Sequence, residues 1–272
     1  MATHRIKATD EPGSAPFKAG VSSRGEGNVI DLAPDCALSG RIEVTGARNR
    51  LTIASGATLE RYAPAGFGAT VPDIGKRSDA SLLIEGDDNV VEIASGARLG
   101  MNIVIRGNGN RIRIGPETWL HGFANLITDG ATLTVGARTT MVQGSLQLHE
   151  PLTLSIGEDC MISSQVYVSV SDIHPIRDRV SGARINPGRP VEIGDHVWLG
   201  LRTMVMKGAR IGHGAITAAG SIVSGEVPPH SLVGGAPARV MRNDVAWSRD
   251  LDLDAPVAVE PPPRRGWRLF GR

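Results

Sequence analysis

Aliphatic residues recur every six positions in the second half of this chain. The run is Ile193, Leu199, Val205, Ile211, Thr217 and Val223, with Thr217 as the exception. The positions four residues further on are small or β-branched: Val197, Thr203, Ala209, Ala215, Ser221 and Val227. A period of six fits neither an α-helix nor an amphipathic strand. It predicts short strands joined by tight turns, three to a coil, with coils stacked at about 4.8 Å.

A looser repeat precedes these hexads. Its four segments read RNRLTIASGA, DNVVEIASGA, GNRIRIGPET and GATLTVGART. The last aliphatic residues of these four segments are Ile53, Ile93, Ile114 and Val135, and Ile156 is the next one along the chain. The steps between successive residues of this series are 40, 21, 21 and 21 residues. The long step indicates an excursion over Glu60–Ala80. The pattern predicts one solenoid from about Val29 to Val240, with two separate domains as the alternative.

One interruption divides the hexads. The step from Ile156 to Ile193 is 37 residues, more than one coil can hold. The surplus lies within SVSDIHPIRDRVSGARINPGRP, residues 169–190, which is polar, rich in Gly and Pro, and unable to continue the stack. Long loops on a rigid scaffold often carry function. We therefore predict a protruding functional loop here.

Composition excludes several classes of protein. Glycine and proline number 34 and 17 among 272 residues, which leaves little room for long helices. A net charge of +1 gives no electrostatic reason to expect a nucleic-acid partner. The two cysteines form neither a disulfide framework nor a zinc motif, and no segment has the pattern of a signal peptide or membrane span. We expect a cytoplasmic protein without a metal.

The predicted fold is an all-β parallel solenoid in four parts. These are a poorly ordered segment at 1–28, irregular coils at 29–155, hexapeptide coils at 156–242, and a short helix followed by a Pro/Arg-rich tail at 243–272. Asn243 is the predicted helix cap. The tail ends in arginines mixed with Trp267, Leu269 and Phe270. That mixture suits either contact with the inner face of an anionic membrane or a solvated tail.

Three segments resemble the hexapeptide-repeat acyltransferases. They are IGDHVWLG at 193–200, KGARIGHGAITAAGSIV at 207–223 and GGAPARVMR at 234–242. SDIHPI followed by RINPGRPVEIGDHVWLG is most similar to the branch that acts on sugars and polysaccharides. The resemblance covers Ile156–Arg242. It implies a left-handed parallel β-helix, usually a homotrimer, that transfers an acetyl group from acetyl-CoA.

A sugar hydroxyl needs a base to remove its proton as it attacks a thioester. Histidine suits this task because its ordinary pKa is about 6.5. Of seven histidines, His174 alone lies in the predicted loop, in a D-x-H-P context that resembles the family's catalytic histidine. We predict that His174 is the general base of direct transfer without an acyl-enzyme. Asp172 is predicted to orient it, or else to cap a turn.

The resemblance also implies residues for the acetyl-CoA side of the site. Trp198 is expected beside the thioester arm, or in packing between subunits. The oxyanion donor is expected to be a backbone N–H just beyond Gly200, around Leu201. Ala218 and Ala219 are expected to line the coenzyme A groove between adjacent solenoids.

Further candidates are charged or aromatic. Relatives often carry a lysine where this chain has Gly225, so Arg239 and Arg242 are predicted to meet the coenzyme A phosphates, or else to cap the coil end. Residues predicted to bind the acceptor are Arg177, Arg184 and Tyr167, with solvated loop charges as the alternative for the arginines. Cys160 occupies a small-residue corner position and is predicted to be core rather than nucleophile.

The predicted function is O-acetylation of a bacterial surface polysaccharide, such as capsule or lipopolysaccharide, or of its precursor. N-acylation of an amino sugar at the same site is one alternative. A zinc enzyme of the carbonic anhydrase type is another, but it generally needs an H-x4-H pair, and no two histidines are so spaced. A non-catalytic scaffold explains the repeat but not the His174 loop.

Overall fold

A computed structural model describes residues 4–7, 20–62, 80–252, 254 and 257. All regular elements of this part are strands. In chain order they are β1 (His4–Lys7), β2 (Val21–Arg24), β3 (Val29–Leu32), β4 (Ala37–Leu38), β5 (Arg41–Thr45), β6 (Arg50–Ile53), β7 (Thr58–Glu60), β8 (Ala80–Glu85), β9 (Val90–Ile93), β10 (Arg98–Arg106), β11 (Arg111–Ile114), β12 (Trp119–Ile127), β13 (Thr132–Val135), β14 (Thr140–Leu148), β15 (Thr153–Ile156), β16 (Met161–Ile162), β17 (Val166–Ser169), β18 (Val191–Ile193), β19 (Trp198–Leu199), β20 (Met204–Val205), β21 (Arg210–Ile211), β22 (Ile216–Thr217), β23 (Ile222–Val223), β24 (Glu226–Val227), β25 (Leu232–Gly235) and β26 (Ala238–Arg242).

These strands stack as the three faces of a β-solenoid. Face one is the parallel series β3-β6-β9-β11-β13-β15-β18-β21-β24, which gives nine turns, with β1 antiparallel on β3. Face two runs from β4 and β7 to β16, β19, β22 and β25. Face three runs from β2, β5 and β8 to β17, β20 and β23. The nine-residue strands β10, β12 and β14 pair with both series, so they bend around the corner between faces two and three.

The core lies inside the three faces. Side chains alternate along each strand, and the buried positions on face one include Leu51, Val91, Ile112, Leu133 and Leu154. Burying one such side chain stabilises the fold by about 1.5–3 kcal/mol. The aliphatic period predicted this core because every coil must place the same residue type inward at the same place.

A ladder of buried asparagines holds one corner of the first coils. Asn28, Asn49, Asn89 and Asn110 lie one above another, and each side-chain Oδ1 accepts the backbone N–H of the next, at 2.9–3.0 Å. The Nδ2 groups donate along the same column. The ladder ends at Asn110, whose Oδ1 accepts a hydrogen bond from the N–H of Ala131 at 2.9 Å. The ladder lets buried polar groups satisfy one another where the chain turns.

The C-terminal segment packs back over the coils without forming a helix. β26 turns antiparallel on β25, and the chain then crosses the corner between faces one and two. Trp247 is 5% exposed, and its ring stacks on His196 at a centroid distance of 4.0 Å. Arg249 donates to Asp159 Oδ1 and to Thr140 Oγ1, each at 2.8 Å. Residues 243–250 therefore form a strap over earlier coils.

The predicted all-β solenoid is confirmed, and several of its details are corrected. The short helix predicted after the cap Asn243 is wrong, because the contacts of Trp247 and Arg249 with earlier coils hold residues 243–250 as a non-helical strap. The strand at Val21–Arg24 lies within the segment predicted to be poorly ordered. Most of the 60–80 excursion and nearly all of the tail beyond residue 252 lie outside the described residues. The described chain has no helix that could span a membrane.

Candidate active site

A long loop, residues 170–190, connects β17 and β18 at the corner between faces three and one, where the sequence predicts it. Two ion pairs fasten it to the coils. Arg184 donates to both carboxylate oxygens of Glu150, at 2.5 and 3.3 Å. Lys207 donates to Asp172 at 2.5 Å. Although polar and exposed over most of its length, the loop is thereby fixed at both ends.

Asn186 organises the interior of the loop. It is 7% exposed, and its Nδ2 donates both to Asp172 Oδ2 and to the backbone carbonyl of His174, each at 2.9 Å. Its Oδ1 accepts the N–H of Ile176 at 2.5 Å. These three bonds fix the backbone on both sides of His174. No motif in the sequence marks Asn186, because it lies twelve residues from the histidine.

His174 projects from this framework with an exposed side chain. Within the described chain, Asp172 bonds to Lys207 and Asn186 rather than to the imidazole. The Lys207 hydrogen bond lowers the pKa of Asp172, with a further contribution from Asn186, so the carboxylate is ionised at neutral pH. The structure therefore places Asp172 as an anchor of the loop that carries His174.

A second histidine, His149, adjoins the loop that carries His174. It follows β14, whose Gln147 is paired with Ser169 next to the start of the loop. Burial lowers the pKa of His149, and the nearby His174 lowers it further. His149 is consequently neutral at physiological pH. His149 was not predicted from the sequence, since no local pattern marks a residue that adjoins the site only through coil stacking.

The candidates for the acetyl-CoA side lie at another corner. Trp198 is 37% exposed on the outer side of face two. Gly200 follows it, and a Cβ there would lie 2.5 Å from the carbonyl oxygen of Thr217, so no side chain fits. The N–H groups of Gly200 and Arg202 are bonded to neighbouring coils. Among the described hydrogen bonds, the N–H of Leu201 has no partner, as an oxyanion donor requires.

The remaining candidates are spread along the solenoid. Ala218 is half-buried and Ala219 exposed at the corner next to Leu201. Arg239 and Arg242 are exposed on β26 at the C-terminal end. Tyr167 is half-buried on β17, between Ser145 and Met204 of the adjacent coils.

The two loop arginines differ in their surroundings. Arg177 is exposed and donates to the carbonyl of Gly182 at 3.1 Å. Arg184 is held by Glu150, so its charge is already matched by a carboxylate. Cys160 is fully buried, and burial raises its pKa to about 11. That thiol belongs to the core, as predicted, and is unsuited to attack a thioester.

Comparison with known proteins agrees with this architecture. Residues 190–224 match a family model described as the hexapeptide repeat of succinyl-transferase. The chain is 34% identical over 128 residues to a polysialic acid O-acetyltransferase of Neisseria meningitidis, covering 47% of this chain and 60% of the relative. It is 34% identical over 122 residues to a polysialic acid O-acetyltransferase of Escherichia coli O1:K1, covering 45% and 40%. The chain thus spans about half the length of these relatives.

One solved structure extends the likeness to most of the fold. It is the polySia-specific acetyltransferase NeuO, with a TM-score of 0.59 and 24% identity over 87% of this chain and 91% of that one. The likeness shows the fold: this chain forms the same kind of β-solenoid, and residues 190–224 carry the hexapeptide repeat that the sequence predicts.

Proposed function

We propose that this protein is an acetyl-CoA-dependent O-acetyltransferase that modifies a sugar hydroxyl of a bacterial surface polysaccharide. The observation that carries this proposal is His174, exposed on a loop that two ion pairs and Asn186 hold in place. An exposed imidazole on a rigid support suits a base that must reach a large acceptor. The polysialic acid O-acetyltransferases that this chain resembles support a polymeric, acidic sugar as the acceptor class.

In the proposed reaction, His174 takes the proton of the acceptor hydroxyl as its oxygen bonds to the acetyl carbonyl carbon. Acetyl-CoA supplies that carbonyl activated as a thioester. The N–H of Leu201 donates to the developing oxyanion, a contribution worth about 3 kcal/mol in comparable sites. His174 then returns the proton to the departing thiolate. No acyl-enzyme is formed, because the candidate thiol is buried.

A complete site requires two copies of the chain in this proposal. The His174 loop leaves the corner between faces three and one. Trp198 and Leu201 lie on face two and at the corner between faces two and three. A neighbouring solenoid that brings its Leu201 corner to this His174 loop would join the two halves. We therefore propose a homo-oligomer, for which the family resemblance suggests a trimer.

Thiol release from acetyl-CoA tests the function. Purified wild type, with oligosialic acid and other surface glycans as acceptors, is compared with His174→Ala. We expect acceptor-dependent release that falls at least a hundredfold in the variant, since general-base help is worth about 10²–10⁴. An equally folded His213→Ala variant is the control and should keep its activity.

The outcomes separate the candidate functions. Retained activity in His174→Ala would leave the enzyme but remove its proposed base. Release with amino sugars alone would indicate N-acylation. Absence of both release and coenzyme A binding would favour the non-catalytic scaffold.

A further inference from the structure

A row of polar side chains crosses the outer surface of face three and ends at the loop. On β14 the inward residues are Leu146 and Leu148, so Ser145 and Gln147 point outward, as does His149 just beyond the strand. Although outward, Ser145 and Gln147 are 1% and 5% exposed. Polar groups this well covered need hydrogen-bond partners, and those bonds fix the orientations of the side chains.

The bonds in this row determine which nitrogen of His149 carries the proton. Gln147 Nε2 donates to Ser145 Oγ at 2.7 Å. Its Oε1 accepts from Asn125 Nδ2 at 3.2 Å and lies 3.0 Å from His149 Nε2. Because Oε1 can only accept, His149 Nε2 carries the hydrogen. In the neutral ring, Nδ1 is then a bare acceptor, and it has no hydrogen-bond partner among the described residues.

His149 adjoins the loop that carries His174. The N–H of Val170, the first loop residue, donates to the carbonyl of Gln147 at 3.2 Å, so the loop starts against the strand that leads to His149. Glu150, the residue after His149, accepts hydrogen bonds from Arg184 and from the N–H of Gly188, so the chain at His149 runs against the loop that carries His174. The charge of His174 also lowers the pKa of His149. A neutral His149 would not repel His174 when that residue gains a proton.

We propose that His149 binds the acceptor sugar: its Nδ1 accepts a hydrogen bond from a sugar hydroxyl next to the one that reacts at His174. This inference rests on the proposed function and adds a specificity residue to it. A polyhydroxylated ring presents neighbouring O–H donors, and a positioned neutral acceptor selects for one of them. An acceptor sugar that lacks that hydroxyl would leave Nδ1 without a hydrogen-bond partner.

Two substitutions separate binding through Nδ1 from support through Gln147. His149→Gln keeps a donor near the position of Nε2 and removes the acceptor at the position of Nδ1. His149→Asn keeps an acceptor near Nδ1 and loses the bond to Gln147. His121→Gln is the control, since His121 packs on Trp119 with ring centroids 4.4 Å apart and lies on another part of the surface. Each variant is assayed for acetyl transfer to oligosialic acid.

We expect His149→Gln to raise the KM for the glycan about tenfold with an unchanged KM for acetyl-CoA, which is the effect of one lost hydrogen bond. His149→Asn should stay within about threefold of wild type, and His121→Gln should match it. The opposite order, with His149→Asn the worse variant, would overturn the inference because it would make His149 a support for Gln147.

Saturation-transfer NMR measures glycan binding by the same proteins, and this measurement separates the inference from the proposed function. Wild type that binds oligosialic acid without acetylating it, with weaker binding by His149→Gln, would overturn the function and keep the sugar site. Equal binding by wild type and both His149 variants would overturn the sugar site alone. Neither binding nor transfer with any glycan tested would overturn both.

Discussion

The buried asparagine ladder shows how single residues fix the corners of the first coils. Each asparagine immediately precedes a strand of face one, as Asn89 precedes Val90. The pairs RN, DN and GN in the sequence repeats place an asparagine before each strand, but a search for aliphatic periodicity does not detect a polar residue. The aliphatic period predicted the strands because it records which side chains are buried in every coil. The ladder was not predicted because its hydrogen bonds join residues 21 or 40 positions apart.

Removing one rung should destabilise the stack measurably. Asn89→Ala leaves the N–H of Asn110 and the carbonyl of Gly107 without their buried partner. We expect a loss of about 2–4 kcal/mol in the free energy of unfolding, measured by urea denaturation. Asn108→Ala, at an exposed rung of the neighbouring column, is the control and should cost less than about 1 kcal/mol. Similar losses in both would contradict the role of burial.

At the scale of elements, the active-site loop depends on ionic attachment to the solenoid. The Arg184 hydrogen bond is the main cause of the lowered pKa of Glu150, and Lys207 is the main cause for Asp172. A carboxylate with a lowered folded-state pKa stabilises the fold above its unfolded pKa, near 4. The attachment is therefore complete at neutral pH and is lost as pH falls through the folded pKa values.

Removing the charge of one of these carboxylates should loosen the loop at neutral pH, as protonation does at low pH. Glu150→Gln removes the charge that holds Arg184, so trypsin should cut the loop at exposed Arg177 several-fold faster. Acetyl transfer should fall while the melting temperature changes little. Glu158→Gln is the matched control, because it removes an exposed ion pair with Arg138 away from the loop. Unchanged cleavage in Glu150→Gln would show that other contacts hold the loop.

The described coils form a one-dimensional stack in which the strands of each coil pair with those of the coils next to it. A column of small residues lets the coils approach at the corner after face one. A Cβ on Gly136 would lie 2.5 Å from the carbonyl carbon of Gly157 in the next coil. Such an overlap must push two coils apart, and the displacement affects every bond across that junction.

We therefore expect Gly136→Ala to cost about 1–3 kcal/mol and to lower the melting temperature by several degrees. Gly225→Ala is the control, since a Cβ there meets nothing within 4 Å and its backbone is not left-handed. Differential scanning calorimetry compares the two. A melting temperature unaffected by Gly136→Ala would mean that the coils can separate without loss.

The sequence by itself determined the solenoid, its core and the place of the His174 loop. These follow from local repetition, because each coil buries the same residue types and any surplus must leave the stack. Only the tertiary structure decided that residues 243–250 form a strap, since Trp247 and Arg249 bind coils far along the chain. It likewise brought His149 to the loop that carries His174 and paired Asp172 with Lys207. Such contacts are set by the path of the stacked coils, which no local pattern records.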